Sequence, residues 1–245
     1  MPFVELFDLD LLAAAIAALI GGWILGFTGF GAALVMTPAF TLLWDAPIAV
    51  PTCLLLLVFA SAQLFLPAMR ECEPKSTALM SAAACLMIPL GSYALVVADR
   101  LVMQRAIGVI VLVLVAVLAT GYRYRGRRPP ALTAGVGVVS GVLNGATGMG
   151  GPPVIFYLLS GPDGAARNRA NLLAFYAIVN AVSLAALAVA GLLTWTILGR
   201  AALMTPIYVV GVWLGARYFG RSNEAGYRRW ALGILFAIAI ATLVA

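Results

Sequence analysis

The chain has 245 residues, 64% of them hydrophobic and 10% charged, with a mean hydropathy of +1.07 and a net charge of +6. A soluble domain carries about 25% charged residues, so this composition excludes a soluble enzyme or binding domain. The basic residues sit in short loops between apolar runs, which excludes a nucleic-acid surface and leaves one all-α polytopic membrane domain over 1–245.

Residues 1–10 carry Glu5, Asp8 and Asp10 and no Lys or Arg, so the basic start of a signal peptide is missing and the first apolar segment is expected to be retained. Residues 11–44 are uncharged and too long for one ordinary span. A glycine-rich stretch at 22–32 divides them into pieces at roughly 11–27 and 31–44. As a helix the second piece is only about 21 Å long, against roughly 30 Å of hydrocarbon. Asp45-Ala46-Pro47 then supplies an N-cap acid and a proline in a first helical turn. Full-length apolar segments follow at 46–69, 76–98 and 101–121, and a loop over 123–130 carries Arg123, Arg125, Arg127 and Arg128. The scheme then restarts. Residues 131–162 are uncharged and interrupted by glycines, and 151–160 would be only about 15 Å long as a helix. Longer segments follow at 169–190, 196–216 and 229–245.

The two interruptions are copies. A shift of 119 residues matches Gly22 with Gly141, Gly26 with Gly145, Thr28 with Thr147, Gly29 with Gly148 and Gly31 with Gly150. Leu86, Met87 and Pro89 match Leu203, Met204 and Pro206 at a slightly different shift, and Ala106-Ile107-Gly108 matches Ala231-Leu232-Gly233. The chain therefore reads as a duplication, with halves at about 9–122 and 131–245.

Charge sets the orientation. With each half counted as two short segments plus three spans, twelve of the fifteen basic residues fall on one side; Arg100, Arg105 and Arg200 fall on the other. Counting each broken run as one kinked span would split them seven to eight. Positive charge favours the cytoplasm, so the first scheme predicts that both termini are outside. It also predicts halves of opposite orientation, an inverted repeat. The shortness of the pieces after each break favours re-entrant hairpins over crossing segments, with the two glycine tips meeting near the midplane.

A break inside lipid frees backbone groups that hydrocarbon cannot satisfy, so such backbone lines a cavity or is buried in protein. Each tip also opens a short helix, whose N-terminal N–H groups and partial positive charge attract anions. The candidate ligand residues are Thr28, Gly29, Phe30 and Gly31 at the first tip, and Asn144, Thr147, Gly148, Met149, Gly150 and Gly151 at the second. Close helix packing is the other use of such glycines, and the stripes Gly137/Gly141/Gly145, Gly22/Gly26 and Gly211/Gly215 are assigned to it. Packing alone does not explain a duplicated break.

Ser61, Gln63, Asn171 and Asn180 lie in the segments after the broken runs, with Ser61 and Asn180 equivalent at the 119 shift. They mark either a pathway or helix–helix hydrogen bonds. Arg169 is either an anion-attracting residue or an ordinary loop charge. There is no histidine, and the nine acidic residues fall near segment ends or in loops, which weakens a cation-transport reading. No nucleophile–base pair, metal-ligand cluster or nucleotide loop appears, so neither an enzyme nor a cofactor is expected. The three cysteines make no metal or redox motif and read as unpaired thiols.

Two halves of about 120 residues, each opening with a glycine-rich break, resemble the TauE/SafE family of sulfite and organosulfonate exporters over essentially the whole chain. The resemblance rests on Gly26-Phe27-Thr28-Gly29-Phe30-Gly31 with Pro38, and on Asn144-Gly145-Ala146-Thr147-Gly148-Met149-Gly150-Gly151-Pro152. The first copy departs from the pattern at Ala32 and Ala33. The resemblance implies a multi-pass permease of the bacterial inner membrane for small sulfur-containing anions, such as sulfite or a C2 sulfonate like sulfoacetate. The expected partners are that anion and the lipid bilayer. An anion channel and a membrane subunit of a larger assembly are the alternatives, and homo-oligomerisation stays open.

Overall fold

The structure, a computed structural model, describes residues 9–120, 129–159 and 165–219. The arginine loop at 123–128, Asp163, the match at 231–233 and the segment expected at 229–245 lie outside the described residues, as do the side chains of Thr28, Gln63 and Arg169. Among the described residues all regular structure is helical: α1 (Leu9–Thr28), α2 (Ala32–Leu43), α3 (Ala46–Met69), α4 (Pro74–Val97), α5 (Arg100–Thr120), α6 (Pro130–Thr147), α7 (Gly151–Leu159), α8 (Ala165–Val189) and α9 (Trp195–Phe219). Spans at Leu9–Phe27, Pro74–Val97, Ala170–Val189 and Trp195–Arg217 are long and apolar enough to cross a membrane. On α4, Leu86 is 75% exposed and Tyr93 66% exposed. A helix this apolar on its outer face belongs in lipid.

The sequence breaks are chain reversals. Gly29 ends α1 at φ 80° with its N–H on Leu25 O (2.7 Å), and Gly148 ends α6 at φ 72° with its N–H on Asn144 O (2.9 Å). Only glycine takes this left-handed conformation without strain. Each short helix then folds back along the helix before it. In the second half Ser140 Oγ donates to Gly150 O near the turn, and Thr133 and Tyr157 share a hydrogen bond of 2.5 Å at the open end. In the first half Gly21 lies against Met36, and Gly31 against Ile24. Both pairs, α1/α2 and α6/α7, are antiparallel hairpins.

The glycine stripes let backbones touch. A Cβ on Gly22 or Gly26 would run into the carbonyl of Tyr208 or Val212, which packs α1 directly on α9. Gly137, Gly141 and Gly145 stand in the same relation to Met80, Ala84 and Ile88, which packs α6 on α4. The two contacts correspond residue by residue. Gly26 faces Val212 O and Ala216 N, while Gly145 faces Ile88 O and Ser92 N. Gly215 faces Trp23 O and Phe27 N, while Gly91 faces Val142 O and Ala146 N. A shift of 119 carries α1 onto α6, and a shift of 124 carries α4 onto α9.

This corrects the register expected from Leu86-Met87-Pro89 and Leu203-Met204-Pro206, which implies a shift of 117. The slip is seven residues, about two helical turns, and such a slip rotates a helix face by only ~20°. Apolar periodicity therefore cannot distinguish the two registers. The carbonyl contacts of Gly91 and Gly215 can.

Candidate functional site

The second tip is braced from behind by Asn144, which is fully buried. Its Oδ1 accepts the Gly150 N–H (3.1 Å), and its Nδ2 donates to Ser183 Oγ (2.9 Å) and Asn180 Oδ1 (3.2 Å). Thr147 donates its hydroxyl to Leu143 O (2.7 Å) and accepts the Met149 N–H (3.2 Å). The two amides freed by the break are thus satisfied by the tip's own side chains, as a low-dielectric surrounding demands. At the first tip Leu25 occupies the position equivalent to Asn144, and Gly31 reaches the same turn with φ 89°. Gly150 takes no positive φ; a Cβ there would strike Ser140 O and Asn144 Cβ at 2.6 and 2.7 Å. The matching glycines Gly31 and Gly150 are therefore required for different reasons.

The two tips meet at one partly open cavity. Phe30 and Gly31 line it from the first tip, and Gly148, Met149 and Gly151 from the second. Ser61 on α3 and Asn180 on α8 complete the set of expected residues that reach it. Gly29, Asn144, Thr147 and Gly150 are not on its wall. Asn171 lies away from it at the start of α8, where its Oδ1 accepts the Glu73 N–H (2.7 Å) and closes the turn between α3 and α4. The wall also holds residues that sequence reasoning passed over, chiefly Leu57 and Tyr176, which are themselves equivalent at the 119 shift. Phe30 with Met149, Ala32 with Gly151, Ala33 with Pro152, and Ser61 with Asn180 are further equivalent pairs on the wall.

The cavity is mostly apolar, and the polar side chains on its wall are Ser61, Tyr176 and Asn180. Among the described residues no Asp, Glu, Lys or Arg lines it. The Asn144 bond occupies Asn180 Oδ1, so the Asn180 amide NH2 is the end left for the cavity. Ser61 and Tyr176 contribute hydroxyls, and neither makes a hydrogen bond to the described residues. The α2 N-terminus adds the amides of Ala32 and Ala33. The α7 N-terminus adds only Gly151, because Pro152 and Pro153 carry no N–H. Asp45, one carboxylate that could be imagined in the pathway, is instead paired with Arg100 Nε at 2.6 Å, with both side chains well exposed. Donors without a carboxylate among the described wall residues suit an oxyanion better than a cation.

A family model described as "Sulfite exporter TauE/SafE" matches residues 14–242. Over 102 residues the chain is 31% identical to a protein of Cupriavidus necator described as "Probable sulfite/organosulfonate exporter TauE". That match covers 42% of this chain and spans 40% of the relative's length. No solved structure matches the chain.

Proposed function

The chain belongs to the TauE/SafE family of sulfite exporters, and from that premise we propose that it is a secondary transporter exporting small sulfur-containing anions across the bacterial inner membrane, with the anion bound between the two hairpin tips. The observation that carries this reading is the convergence of both duplicated breaks on one cavity furnished with donors and, among the described residues, no fixed charge. Dipoles and neutral donors hold an anion without the deep trap of a buried ion pair, which suits a site that must also release it. The anion's oxygens take the donors, and the Leu25, Leu34 and Leu57 wall keeps water from competing for them.

The same proposal includes an inverted repeat with re-entrant tips and both termini outside. Supporting it, the Glu73–Asn171 bond brings the end of α3 to the start of α8, so these equivalent helices run in opposite directions. The α4 helix starts at that same end and runs parallel to α6, since Met80, Ala84 and Ile88 meet Gly137, Gly141 and Gly145 in order. Helices α6 and α8 then enter from one face, and α7 returns to it. With the cell interior negative, export of an anion is favoured by about 2.3 kcal/mol per charge per 100 mV.

The test is flux in proteoliposomes holding the purified protein, screened with sulfite, sulfate, thiosulfate, sulfoacetate and acetate. Saturable flux of sulfoacetate or sulfite, and little of acetate, is expected. No flux of any sulfur anion, or flux that never saturates at fixed voltage, overturns the carrier reading.

A further inference from the structure

Resting on the proposed anion site, we infer that Tyr176 is its specificity-determining donor: the phenol hydroxyl binds an oxygen of the anion's head beside the amide of Gly151. Tyr176 projects from α8 onto the cavity wall, and its hydroxyl lies so close to Gly151 that a Cβ on that glycine would coincide with it. Absence of a side chain at 151 thus creates the space in which the hydroxyl sits. The hydroxyl makes no hydrogen bond to the described residues. Tyr176 is half-buried and its hydroxyl opens onto the cavity, so an anion oxygen bound there is the partner within its reach.

The local helix supplies the reason a side-chain donor is needed there. A helix N-terminus ordinarily offers several amides to an anion. In α7 the first turn offers Gly151 alone, because Pro152 and Pro153 follow. Tyr176 OH replaces part of what the prolines remove, at a position next to the one amide that remains. It also breaks the symmetry of the cavity. Its counterpart Leu57 lines the opposite half and carries no polar group. The sulfonate head is therefore drawn toward the second tip and away from Leu57.

The experiment compares the wild type with Tyr176→Phe, Gly151→Ala and the double variant in the sulfoacetate flux assay, with membrane yield and thermal stability measured alongside. Removing a hydrogen bond to a charged group is expected to raise the half-saturating concentration by about ten-fold or more in Tyr176→Phe, with maximal flux largely kept. Gly151→Ala is expected to do the same by displacing the hydroxyl. In the Phe background the alanine should add little, because the atom it collides with is gone. A purely structural role would instead lower stability or maximal flux, and the effects of the two changes would add. Wild-type flux with an unchanged half-saturating concentration in Tyr176→Phe overturns this inference and leaves the anion site standing. A wild type that moves no sulfur anion overturns both.

Discussion

Replacing Asn144 by Leu tests whether the tip is held in shape by the amide behind it. The change nearly conserves volume, and Leu25 shows that a leucine is accommodated at the equivalent place in the first hairpin. What it removes are three hydrogen bonds. The Gly150 N–H would be left buried without its acceptor, at about 1–3 kcal/mol. The interhelical bonds to Asn180 and Ser183 are worth about 0.6 kcal/mol each in a membrane protein. The expected destabilisation is thus about 2–4 kcal/mol, large for a single isosteric change. Function should suffer for a second reason. Without Asn144 Nδ2 nothing fixes Asn180 with its NH2 toward the cavity, so a donor can turn into an acceptor facing an anion. Thermal unfolding of the detergent-purified protein, followed by tryptophan fluorescence, reads the first effect. Sulfoacetate flux reads the second, and most of it should be lost. A variant that melts with the wild type and transports at its rate would refute the bracing role and with it the account of how the break is tolerated.

Three further outcomes are expected. Gly26→Ala should impair assembly of α1 on α9, because its methyl meets the Val212 carbonyl and neither backbone can yield; a loss of about 1–3 kcal/mol in thermal stability checks it, and unchanged stability would mean that the helices are not in backbone contact. A reporter fused after Ala245 should be active only on the periplasmic side, and activity confined to the cytoplasm would overturn both the topology and the inverted repeat. An imposed membrane potential without a pH gradient should drive flux of a permanently ionised sulfonate; if only a proton gradient drives it, Asn substitutions at Asp45, Asp99 and Asp163 are the next measurement.

Much of the architecture could be read from where charge is absent. The expected segment 46–69 coincides with α3, and the broken runs appear as α1/α2 and α6/α7 with their breaks at Gly29 and Gly148. Those features rest on local chemistry, which a chain displays in its order. The site is less local. Asn144 reads as a ligand donor because it is a lone amide at a tip, yet its partners Asn180 and Ser183 are 36 and 39 residues away. Only their approach shows that the amide is already fully used. Tyr176 is one aromatic residue in an apolar run until α8 packs against the N-terminus of α7. Leu57 would have been its pointer, since the 119 shift pairs the two, but a leucine opposite a tyrosine carries no motif.

The unequal pair Leu57 and Tyr176 has an energetic meaning that reaches past the binding of one anion. In the proposed carrier, two identical inverted halves would make inward-facing and outward-facing arrangements equivalent by a two-fold rotation, equally populated at rest. Unequal side chains at equivalent positions lift that degeneracy. On the proposed carrier reading one arrangement becomes the resting one, and the substrate would meet a protein already waiting on a particular side of the membrane. Such a bias cannot make a pump. Whatever it contributes to affinity on one face it must return in the rates of reorientation, since a closed cycle at equilibrium does no work. Divergence of a duplicated carrier can therefore tune at which concentrations, and from which face, it operates fastest. The direction of net movement is left to the gradient and the membrane potential.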